Sequence, residues 1–144
     1  MKRFLGIAAI GLVSMAFTLK KAPVQKQEGA GIKFEHITLE EAKKLAEENE
    51  QLIFIDCYTS WCGPCKKMAA TSFMNEEVGE VFNERFVNLK VDIEKDADGP
   101  ELARLYKIKA YPTLLIIDSK GKLIKEVVGF QTEDKLISLA NSVD

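Results

Sequence analysis

Leu52-Ile53-Phe54-Ile55-Asp56-Cys57-Tyr58-Thr59-Ser60-Trp61-Cys62-Gly63-Pro64-Cys65-Lys66 is the stretch on which the fold turns. The apolar run Leu52 to Ile55 predicts a strand buried on both faces, which Asp56 and Cys57 are expected to end. A loop from Tyr58 to Trp61 follows, and a helix starts near Cys62. Pro64 fits a first helical turn, where backbone N–H groups have no intrahelical partner to lose.

Working outward, Ile32 to Ile37 can form a first strand. Thr38-Leu39-Glu40-Glu41 is a capping box, and Leu39, Ala42, Leu45 and Ala46 stripe one face of the helix behind it, to about Asn49. Downstream, Asn75 caps a helical stretch from Glu76 to Phe82, and Phe86 to Ile93 is a strand. Gly99-Pro100 opens a helix ending near Tyr106. Thr113 to Ile117 and Leu123 to Val128, joined by Ser119-Lys120-Gly121-Lys122, read as a β-hairpin, and Thr132 caps a last helix through Val143. The order β-α-β-α-β-α-β-β-α predicts an α/β fold: a central mixed sheet, helices on both faces, and a C-terminal hairpin and helix.

Cys62 and Cys65 form a C-x-x-C pair at a strand-to-helix junction, the setting in which that spacing signals redox chemistry. Residues three apart on a first turn share a face, so two sulfurs there join or separate with little backbone motion. The positive helix end and its unpaired N–H groups favour a thiolate at Cys62, and Lys66 and Lys67 add positive charge. Cys65, deeper in the helix, suits resolution of a mixed disulfide. Gly63 admits a close backbone, and Trp61 is a flat cover beside the pair. As a mere staple the pair would contribute only about 2 kcal/mol, because its loop is so short. Cys57-x4-Cys62-x2-Cys65 begins a plant-type iron–sulfur spacing, but the fourth cysteine is missing. The single histidine, His36, lies on a different segment, so no metal and no cofactor are expected. Cys57 reads as a small buried hydrophobe, with an auxiliary redox thiol as the sharper alternative. A carboxylate ending a buried strand is costly without a task or a partner. Asp56 is therefore a candidate to accept and return the proton of Cys65 through water, unless it is an ordinary solvent-contacting strand end.

The 144 residues fit one domain, with hydrophobic residues at 47% and charged residues at 29%. A formal net charge of −2 provides no basic field for nucleic acid. Lys2 and Arg3 precede an apolar run from Phe4 to Leu19, the pattern of a secretory signal. Residues 1–16 are expected to be that segment, cut between Ala16 and Phe17, or an uncleaved anchor. The run is short for a span, which needs roughly 20 residues. Removing it leaves 18 basic against 22 acidic side chains, a mildly acidic chain. Residues 17–31 read as a tether and 32–144 as the domain. The location implied is outside the cytosol, periplasmic or in the cell envelope.

These residues resemble the thioredoxin family. Trp61-Cys62-Gly63-Pro64-Cys65-Lys66 matches its active-site motif position by position, and the likeness runs from about Leu52 to Val143. Asp56 lies six residues before Cys62, as the family's buried acid does. Tyr111-Pro112-Thr113 matches the segment with the family's cis-proline, and Val128-Gly129-Phe130 the remaining wall of its substrate groove. The resemblance implies the thioredoxin fold, a cis Pro112 packed against the cysteines, and substrate binding through Trp61, Gly63, Pro64, Tyr111, Pro112, Gly129 and Phe130. An extended substrate strand would pair beside Pro112 while its disulfide meets Cys62.

Four departures stand out. Asn88 occupies the position expected to hold a lysine near the acid, which would leave Asp56 without a cation. Ala70 replaces a helix-bending proline, so a straighter helix is expected. Tyr111 stands where thioredoxins usually have Ile and protein disulfide isomerase domains have Tyr. Cys57-Tyr58-Thr59-Ser60 is not the usual loop. The implied activity is dithiol–disulfide exchange with disulfide-containing proteins, as a monomer, in the reducing direction suggested by Gly63-Pro64. A reductant outside the cytosol also needs an electron donor in the membrane. Oxidase or isomerase action by the same cysteines, or a non-catalytic peptide-binding module, are the alternatives.

Overall fold

The computed structural model describes residues 31–143. The expected signal segment, 1–16, lies outside them, as does the tether apart from its last residue. That residue, Gly31, is buried, and a Cβ on it would fall 2.3 Å from the Phe73 carbonyl oxygen.

Helix α1 (Leu39–Asn49) begins at the capping box. Glu41 N–H donates to Thr38 Oγ1 at 3.2 Å, and Thr38 N–H donates to Glu41 Oε2 at 2.8 Å. It ends at Glu50, which adopts a left-handed conformation. Strand β1 (Leu52–Tyr58) follows, then α2 (Gly63–Ala70), a 3-10 turn Ser72–Met74, α3 (Glu76–Arg85), β2 (Phe86–Asp92), α4 (Gly99–Leu105), β3 (Thr113–Ile117), β4 (Leu123–Val128) and α5 (Glu133–Asn141). The sheet order is β2-β1-β3-β4; β1 runs parallel to β2 and antiparallel to β3, and β3 and β4 form the hairpin.

Two expectations change. Ile32 to Ile37 is not a strand: it makes a single bridge, Glu35 to Leu89, with Glu35 N–H donating to Asn88 O at 2.8 Å. Strand β1 does not stop at Asp56 and Cys57 but continues to Tyr58, because β2 is long enough to pair Tyr58 with Asp92. Helix α2, whose last residue is the Ala70 that stands in place of the bending proline, spans eight residues. Beyond it, Thr71 leaves helical geometry with ψ −87°, and the Thr71 hydroxyl donates to Lys67 O at 2.8 Å.

Period-two alternation splits the core into two layers. Ile53, Ile55 and Cys57 of β1 join Leu39, Ala42 and Ala46 of α1 and Leu102 of α4 on one face. Phe54 joins Met68 of α2, Phe82 of α3 and Leu136 of α5 on the other. Asp56 shares Phe54's parity and so lies on the face that carries α2. Cys57 lies on the opposite face.

Candidate active site

Cys62 and Cys65 are joined as a disulfide, with Cα atoms 5.3 Å apart. Cys62 is the N-cap of α2: its Sγ accepts the Cys65 N–H at 3.2 Å, taking one of the helix's orphan donors. The Cys62 N–H donates back to Thr59 O at 3.2 Å, which fixes the loop entering the helix. The residues are 4% and 2% exposed, so accessibility barely separates them. What separates them is the amide and helix end aimed at Cys62. A Cβ on Gly63 would meet nothing within 4 Å, so the space above that residue is open.

Trp61 is 65% exposed beside the pair. Its ring meets Tyr111 edge-on with centroids 6.0 Å apart, and its indole N–H donates to Glu94 Oε2 at 3.0 Å. The Tyr111–Pro112 peptide bond is cis. Pro112 O accepts the Gly129 N–H at 2.8 Å, and Gly129 has φ +92°, a region open to glycine at little cost. Phe130 lies under Lys67, whose Nζ is 5.0 Å from the ring centroid. A chain of contacts thus runs from Trp61 through Tyr111, Pro112, Gly129 and Phe130 back to Lys67 of α2, the helix that carries Cys65.

Asp56 is fully buried, and it has a cationic partner after all. Lys90, not Asn88, supplies it: the parallel register sets Asp56 opposite Lys90, and Lys90 Nζ lies 2.6 Å from Asp56 Oδ2. Asn88 pairs with Phe54 in the register and donates to Phe82 O at 3.3 Å instead. Burial pushes the Asp56 carboxyl above the usual range, with Lys90 opposing. Its Oδ1 has no partner. Cys57 is buried on the far face, where desolvation raises its thiol strongly. Among the described residues no cluster of three or more His, Cys, Asp or Glu side chains could hold a metal ion.

Sequence reasoning missed Lys90 and Glu94, and it named Lys67 for its charge without its contact on Phe130. Lys90 left one trace, the single cation in the largely buried strand Phe86–Asp92. The contacts of Glu94 with Trp61 and of Lys67 with Phe130 arise only through loop and helix placement, and left none.

The thioredoxin family model matches residues 33–142, and the chain belongs to that family. Its fold and its Cys62–Cys65 pair define a thioredoxin-fold thiol–disulfide oxidoreductase. The chain is 30% identical to thioredoxin of Bacillus subtilis (strain 168) over 96 residues, 67% of this chain and 86% of the relative. A solution structure of a Bacteroides thetaiotaomicron protein, provisionally named a disulphide-isomerase, superposes with a TM-score of 0.69 at 38% identity. It covers 82% of this chain and 99% of that one. The oxidised C-terminal domain of Neisseria meningitidis DsbD gives a TM-score of 0.59 at 25% identity, covering 71% and 89%.

Proposed function

We propose that this protein is an exported disulfide reductase acting on proteins. The observation that carries the reading is the Cys65 N–H aimed at Cys62 Sγ at the leading end of α2. Cys62 thiolate attacks one sulfur of a substrate disulfide, and the other sulfur leaves as a thiolate that takes a proton from water. The Cys65 thiol gives its proton toward Asp56, and its sulfur attacks Cys62 Sγ. The mixed disulfide breaks, and the second substrate sulfur leaves and is protonated. The substrate gains two electrons and two protons, and the protein ends with the Cys62–Cys65 disulfide. Trp61, Gly63, Pro64, Tyr111, Pro112, Gly129 and Phe130 form the groove for an extended segment. Lys2, Arg3 and the apolar run after them support export to the periplasm or cell envelope. There, renewed reducing power calls for a membrane-borne dithiol donor.

Two measurements test the reading. Insulin reduction should proceed with the wild type and cease with Cys62→Ser, and Cys65→Ser should trap substrates and donor as mixed disulfides through Cys62. A groove without turnover would leave insulin intact and mark a peptide-binding module. Equilibration with glutathione decides direction. A potential nearer thioredoxin's about −270 mV than protein disulfide isomerase's about −180 mV supports a reductase. The reverse result would favour the isomerase reading to which the Bacteroides relative's name points.

A further inference from the structure

We propose that Tyr58, together with Phe34 and Phe73, holds the Lys90 ammonium on Asp56, and that these rings are positioning residues for the resolving step. The inference rests on the proton role given to Asp56 above. Lys90 Nζ lies 4.4 Å from the Tyr58 ring centroid, 5.5 Å from that of Phe73 and 5.6 Å from that of Phe34. All three fall within the roughly 6 Å over which an aromatic face attracts a cation. The rings arrive from three places: the end of β1, the 3-10 turn after α2, and the segment following Gly31. Two of them brace each other, Phe34 and Phe73 meeting edge-on at 5.3 Å, with Phe73 also edge-on to Phe54 at 6.2 Å.

The rings have a task because the Lys90 side chain is 27% exposed. A lysine ammonium is strongly hydrated and sits on a flexible stem, so water competes with Asp56 for it. Three aromatic faces attract the cation and occupy directions from which water would solvate it. The carboxylate grips the ammonium through Oδ2, at 2.6 Å. Were the ammonium to swing out, the carboxyl would lose its counter-charge and hold its proton to higher pH, and a protonated Asp56 cannot accept the proton of Cys65.

The charged and titratable groups about this pair are few. Tyr58 and Cys57 neighbour Asp56 on β1; Asp92 at the end of β2 and Asp96 beyond it act on Tyr58; and Glu126 of β4 acts on Cys57. Lys33 and Glu35 flank Phe34, and Leu114, opposite Asp56 on β3, is apolar. From α2, Cys65 is the titratable group on the buried side, whereas Lys66 and Lys67 are exposed.

The test is a carbon-13 titration of the Asp56 carboxyl in the reduced full chain, with the pH profile of insulin reduction beside it. Tyr58→Leu and Phe34→Leu should each raise the Asp56 midpoint by about half a pH unit or more and move the acid limb of turnover the same way. Tyr58→Phe, which keeps the ring, should leave both in place. An unmoved midpoint in the leucine variants, or an equal shift in Tyr58→Phe, overturns the cage. If Tyr58→Leu does not fold, Phe34→Leu and Tyr58→Phe decide. Asp56→Asn with a wild-type pH profile would remove the proton role instead, while the titration still reports on the cage.

Discussion

Asp56 carries the electrostatic strain of this molecule. In the folded chain it holds a proton at pH values where the unfolded chain, titrating near about 4, has lost it. Stability therefore falls as pH rises from about 4 through the folded midpoint, and stays lower above it. Asp56→Asn has no charge to bury, and Lys90 can turn its ammonium to water. The variant should thus melt above the wild type at about pH 8, with the gap closing toward about pH 4; a gap independent of pH would contradict the account. Cys57 is the opposite case, a thiol buried among apolar side chains with its ionised form disfavoured. Cys57→Ala should leave insulin turnover unchanged and cost about 1 kcal/mol in urea denaturation, for the packing it removes. A large loss of turnover would restore Cys57 as a redox thiol.

At the scale of elements, the capping box of α1 was plain in Thr38 and Glu41, and the cap of α3 in Asn75, because those contacts lie within three residues of one another. The segment Ile32 to Ile37 could not be read so. Its few partners are remote: Ile32 N–H donates to Phe73 O at 2.8 Å, Lys33 N–H to Asn83 Oδ1 at 2.8 Å, and Asn83 Nδ2 to Gly31 O at 3.0 Å. Gly79 of α3 lets that segment lie close, since a Cβ there would stand 2.4 Å from Gly31 O. Gly79→Ala should therefore lift the segment. A loss of about 1–3 kcal/mol is expected, with faster hydrogen exchange at the amides of Ile32 and Glu35. Unchanged exchange would mean that the segment is held elsewhere. The same variant also loosens Phe34 over Lys90.

Across the whole molecule, two cores share one sheet, and the site lies where β1 passes into α2. Phe54 ties the α2 face together, with its ring 4.8 Å from Phe82 and 6.2 Å from Phe73. Phe54→Ala should cost about 3–5 kcal/mol, measured by denaturation of the oxidised protein; a loss below about 1 kcal/mol would show that the layer repacks freely. By itself the sequence determined the strand-to-helix junction, the Cys62–Cys65 spacing, the buried acid and the hairpin, because each depends on neighbours a few residues apart or on local periodicity. Tertiary structure alone decided that Lys90 rather than Asn88 faces Asp56, that Cys57 lies across the sheet from the other two cysteines, and that Glu94 and Lys67 reach the groove. The contacts of Glu94 and Lys67 depend on loop and helix placement, and the Asp56–Lys90 pair depends on which residue of one strand stands opposite which of another. A shift of one position in that register turns every side chain to the other face, and no local pattern in β1 or β2 states it.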